Sequence, residues 1–112
     1  MKKLKDDTYR ANRGGHSRVL EVSCDHCAGI ICYYQKDGPG ALKRMYLDRI
    51  IAPKKLVSLD KLSLSKIPNL LCPQCKKLVA IPYIFPKEKR LAYRIFEGEL
   101  KKRIVSYSKV DL

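Results

Sequence analysis

The chain has 112 residues, 46% of them hydrophobic, a size and apolar content that suit one folded domain and exclude a disordered chain. It has no run of about 18 apolar residues, so no membrane-spanning helix is expected. Lys and Arg outnumber Asp and Glu by 24 to 11, and the excess runs along most of the chain, which points to a polyanionic partner, nucleic acid above all.

Residues 1–17 are polar, charged and without periodicity, and read as a flexible basic arm. No apolar stretch follows the basic start Met1-Lys2-Lys3, so no secretory signal is expected and the chain is read as cytoplasmic. Five cysteines in that setting argue against a disulfide framework and for metal ligands or buried thiols.

Ordered structure is expected to begin at Arg18–Ser23, a β-branched-rich strand leading into Cys24. Ala28–Gln35 is strand-like again, so Cys24-Asp25-His26-Cys27 should sit at the tip of a hairpin. Asp37-Gly38-Pro39-Gly40 supplies the stop. Over Ala41–Ala52, Leu42, Met45, Tyr46 and Ile50 fall at helical spacing, which predicts a helix ended by Pro53. Leu56–Ile67 reads as a second short helix or an irregular excursion, with Ser58 a candidate N-cap. The pattern of apolar strand, Cys-x-x-Cys, apolar strand then repeats: Leu70-Leu71, Cys72-Pro73-Gln74-Cys75, and Leu78–Phe85. Leu91–Phe96 and Leu100–Tyr107, joined through Glu97-Gly98, are expected to pair with each other as a final hairpin.

The two Cys-x-x-Cys pairs carry the specific chemistry. Two residues between cysteines let a tight turn aim both sulfurs at one point, and two such pairs complete a tetrahedral shell at about 2.3 Å. Cys24, Cys27, Cys72 and Cys75 are therefore the candidate ligands of one structural Zn²⁺, with no position left open for a water. Neither pair opens a helix after a strand, which weighs against redox motifs; an iron–sulfur centre or another metal, and redox-active or plain thiols, are the alternatives. Cys32, among Ile30, Ile31, Tyr33 and Tyr34, reads as a buried free thiol, His26 as an exposed knuckle side chain, and His16 as a residue without a role.

The knuckles and their flanking strands resemble the zinc-ribbon group of folds, in which two such hairpins clamp one zinc on a small antiparallel sheet. Residues 28–71 part the pairs here, a longer separation than the roughly 15–20 residues common to such sites. The resulting expectation is an α+β chain: a small antiparallel β-sheet with two zinc knuckles, residues 18–112 forming a single zinc-binding domain, and 41–67 a helical insert. No P-loop, dinucleotide fingerprint or His-Glu-x-x-His occurs, and Ser63-Leu64-Ser65-Lys66 lacks companion motifs, so no catalytic residue, small-molecule substrate or enzyme activity is expected. The leading expectation is a module of transcription or translation that binds RNA rather than a specific DNA sequence. Lys and Arg of residues 86–103 would act together with Tyr83, Phe85, Tyr93 and Tyr107. The alternative is a protein-interaction module that uses the insert surface.

Overall fold

A computed structural model describes residues 4–110; residues 1–3 of the expected arm and 111–112 of the expected domain lie outside the described residues. Strands β1 (Ser17–Cys24) and β2 (Ile30–Asp37) form the first predicted hairpin, antiparallel from Ser17↔Asp37 to Val22↔Cys32. The second knuckle joins β5 (Leu70–Leu71) to β6 (Leu78–Phe85), and β7 (Arg90–Ile95) pairs with β6. With β3 (Arg44–Tyr46), β4 (Ile50–Ala52) and β8 (Leu100–Val105) these make two four-stranded antiparallel sheets, in the orders β4-β2-β1-β8 and β3-β7-β6-β5. Helix is confined to α1 (Thr8–Asn12), α2 (Lys54–Val57) and short 3₁₀ turns, so the chain is α+β. Among the described residues no helix is long and apolar enough to cross a membrane.

The two sheets face each other across one core. Alternation along β1 and β2 puts Leu20, Val22, Cys32 and Tyr34 on the inner side, against Met45, Ala80 and Tyr93 of the second sheet. Each fully buried side chain of this size stabilises the fold by roughly 1.5–3 kcal/mol, which is why strand pairing settles in this register. A smaller cluster of Val19, Tyr33, Ala52 and Val110 covers the outer side of the first sheet.

Three expectations need correction. The helix over Ala41–Ala52 is absent: β3, a 3₁₀ turn at Leu47–Arg49 and β4 carry the chain from the second sheet to the first. Met45, Tyr46, Leu47, Arg49 and Ile50 are all buried, so the segment is enclosed on several sides and its apolar residues do not mark one helical stripe. The helical part of the insert is α2 with its 3₁₀ turns, and Ser58 makes no side-chain cap there. β8 does not return to β7, because β3 and β6 already occupy both edges of that strand. Gly98, at φ 81°, turns the chain instead toward the open edge of β1, where Leu20 pairs with Ile104 and Cys24 with Leu100.

The N-terminal segment, read from the sequence as an arm, is docked from residue 4 onward. Asp7 caps α1 by accepting the Arg10 N–H at 3.1 Å, and its carboxylate also takes the Arg49 Nη2 donor at 2.5 Å. Arg49, 1% exposed, bonds Asp37 of β2 at 2.9 Å. Arg90 of β7 donates to Asp48 at 2.7 Å, and its guanidinium lies 3.7 Å from the Tyr46 ring centre and 4.0 Å from that of Tyr9. Arg13 pairs with Glu88. These groups lie at the end of the strands opposite the cysteines.

Candidate metal centre

The knuckles are built alike, atom for atom. In the first, the Cys24 N–H donates to Gly29 O at 2.9 Å and the Ala28 N–H to Cys24 O at 3.0 Å. In the second, the Cys72 N–H donates to Lys77 O and the Lys76 N–H to Cys72 O, both at 2.9 Å. Each turn closes through a left-handed residue just after its second cysteine, Ala28 at φ 63° and Lys76 at φ 67°. At Gly29 an added Cβ would stand against Gln74 Cβ and Cγ and 3.3 Å from Cys27 Sγ. The tips of the two knuckles thus meet where only a hydrogen fits.

All four predicted sulfurs converge. Their ligand atoms lie within 4.8 Å of one another, with Cys24 Sγ 3.7 Å from Cys75 Sγ and Cys27 Sγ 3.5 Å from Cys72 Sγ. Sulfurs bound at about 2.3 Å in a tetrahedron stand ~3.8 Å apart, a spacing these two pairs approach, so the cluster could hold a metal ion. Backbone donors already aim at the sulfurs: His26 N–H at Cys24 and Gly29 N–H at Cys27, each at 3.4 Å. Burial opposes ionisation of Cys72, but the N–H groups of Cys75 and Gln74 and the neighbouring thiols outweigh it and bring that thiol down to about 6. The Gly29 N–H pulls Cys27 down, yet the Cys72 thiol, burial and the other two cysteines push it up to about 11. Metal binding requires thiolates, so a bound cation would release the protons these thiols carry. The pattern is buried, exposed, buried, exposed along the chain, so each knuckle puts one ligand in the core and one at the rim.

The other candidates stand apart. Cys32 packs in the core, its thiol against Met45 Sδ at 3.8 Å, and burial pushes it up to about 12. His26 turns from the sulfurs to Glu99, with Nε2 2.6 Å from Oε2, and so ties the first knuckle to the turn before β8.

The predicted aromatic and basic surface does not form as one patch. Tyr93 is fully buried and its hydroxyl donates to Pro68 O at 2.8 Å; Tyr107 packs on the outer cluster of the first sheet. Tyr83 and Phe85 share the outer face of the second sheet, where Arg44 donates to the Tyr83 hydroxyl at 3.1 Å and stacks 4.0 Å from the Phe85 ring centre. Of the cations in 86–103, Arg90 is buried and Arg103 pairs with Glu21.

A different basic tract is present that the sequence reading missed. Alternation puts Arg18 and Lys36 on the inner side of the first sheet past the end of the core, and Lys102 and Ile104 on the same side along the edge strand, while Glu21 points to the other side. Ile104 is 61% exposed. Lys102 and Lys43 line one cavity of about 560 Å³; Lys43, Lys36, Arg13 and Arg44 line the next, of about 250 Å³. Burial first, then the charges of Lys102, Arg18 and Arg13, hold the Lys36 ammonium below its usual range against the opposing charge of Asp37. Counting in twos back from Cys24 and on from Cys32 would have found Arg18 and Lys36 in the sequence.

No protein-family model matches the chain, and no curated protein or solved structure does.

Proposed function

We propose that the chain is a structural-zinc protein of zinc-ribbon type that binds nucleic acid, single-stranded RNA in preference to a particular DNA sequence, without catalysing a reaction. Zinc is favoured by a ligand set made of four clustered cysteine sulfurs with no oxygen or nitrogen donor among them. Bound there, the ion joins the two hairpins and adds nothing reactive.

The observation that carries the RNA reading is the tract from Lys102 through Lys43 and Lys36 to Arg44, in which cations outnumber the two carboxylates that also line it, Asp37 and Glu97. Arg44 joins it to Phe85 and Tyr83, rings on which bases can stack. Reading a DNA major groove calls for an inserted helix or ribbon, and α1 spans only 5 residues and α2 only 4. A sheet face with cations and half-exposed rings suits unpaired bases better.

The test is fluorescence anisotropy of the zinc-loaded chain with a single-stranded RNA of about 12 nucleotides. Affinity should fall with salt at a log–log slope of about −0.7 per phosphate contact. Joint Lys36→Glu and Lys102→Glu substitution should weaken binding at least ~10-fold and flatten that slope, whereas Lys54→Glu on α2 should not. No measurable binding at low salt would end the reading.

A further inference from the structure

At the metal end a groove of about 740 Å³ opens between the edge of the first sheet, at β4 and β2, and the edge of the second, at β5. That volume is in the range of sites that enclose a ligand. Its lining is mainly aliphatic, and Ile30 and Leu71 stand in it 45% and 46% exposed. The lining holds two charged side chains, Lys55 and Lys76, and no carboxylate. The surrounding stretch, residues 52–78, adds Lys54, Lys61 and Lys66 against the single Asp60, and Lys77, which pairs with Glu99 at 3.8 Å. β4 and β5 each end their sheet, so each presents one backbone edge that no strand among the described residues fills.

These features narrow the occupant. Tyr33 and Tyr93 line the groove but are buried, so no ring is offered for base stacking. A second copy of the chain would bring the same lysines and a net charge of +13 to an already cationic rim. An extended segment with apolar side chains alternating with carboxylates meets all the conditions: apolar surface to cover, lysines to pair and strand edges to extend. We propose that this groove is a docking site for an extended acidic peptide of a partner protein, its apolar side chains over Ile30 and Leu71 and its carboxylates at Lys55 and Lys76. The site is separate from the basic tract and does not depend on the RNA reading.

The experiment is calorimetric titration of the zinc-loaded full chain with a peptide of about ten residues alternating glutamate and leucine, and with its glutamine counterpart. The glutamate peptide should bind at least ~10-fold more tightly. Lys55→Glu, at an exposed position outside the cysteine cluster, should reverse that preference while metal content and melting stay unchanged. Leu71→Asp should abolish binding, and Ile84→Asp, equally exposed on the second sheet, should leave it intact. Equal affinity for the two peptides, or indifference to Lys55→Glu, would overturn the proposal. So would self-association that Leu71→Asp disrupts, or RNA binding that Lys55→Glu disrupts, since each hands the groove to another occupant.

Discussion

Ala28 and Lys76 occupy the same place in the two knuckles, and both carry a side chain where φ is positive. For a residue other than glycine the left-handed region costs roughly 1–2 kcal/mol, of which glycine's greater chain entropy returns a part. Ala28→Gly should therefore stabilise the zinc-loaded protein by about 0.5–1 kcal/mol, read as a higher urea midpoint at unchanged m value. A lower midpoint would mean that the turn in solution is not the one described. The cysteines themselves were legible in the sequence because the turn that aims each pair is local, two residues long. The left-handed residue after each pair was not, since alanine and lysine give no glycine signal. Nor was the part played by Gly29, whose reason for lacking a side chain is Gln74, far along the chain.

The turn Leu47–Arg49 matters more than its length suggests, because it passes the chain between sheets and buries Arg49 among Asp7, Asp37 and Asp48. Burial works against the Arg49 charge, but the carboxylates of Asp7 and Asp37 more than offset it. For Asp37 burial is again opposed and outweighed, here by Ser17, Arg49 and Gln35, so its carboxyl sits below the usual range. A carboxylate depressed in the fold adds stability above the unfolded value of about 3.9 and loses it as pH falls through the folded value. Arg49→Ala removes one side of a buried pair and should cost about 3–5 kcal/mol at pH 7. Left without its partner, the buried Asp37 titrates higher, so the gap between wild type and variant should narrow as the pH is lowered from 7 toward 5. Urea titrations at the two pH values measure it; an equal gap at both would show that packing, not charge, is what the variant loses. Hairpins were readable at this scale because alternation and turn residues are local. The segment 41–52 was not: Met45, Tyr46 and Ile50 are at helical spacing, yet all are buried because the segment crosses from one sheet to the other. That crossing is a tertiary fact.

The molecule as a whole is held at its two ends by different chemistry: four thiols at the hairpin tips, and arginines with carboxylates at the other end, with one shared core between. Binding of a structural zinc ion is worth about 10–16 kcal/mol in small zinc peptides, as much as the whole net stability of a typical domain, about 5–15 kcal/mol. Chelation should therefore abolish the cooperative fold and readdition of Zn²⁺ restore it, followed by tyrosine circular dichroism. A chelated protein that melts as before would remove the metal from its structural role. The pairing of β8 with β1 bears on a different matter, the order of synthesis. On a chain lengthening at about 5–20 residues per second, Cys24 and Cys27 leave the ribosome roughly 2–9 seconds before the second pair. β1 waits longer still for the strand that covers its edge. During that interval the first hairpin carries half of the thiol cluster beside an unpaired strand, and the last of the described strands to emerge is the one that seals that edge.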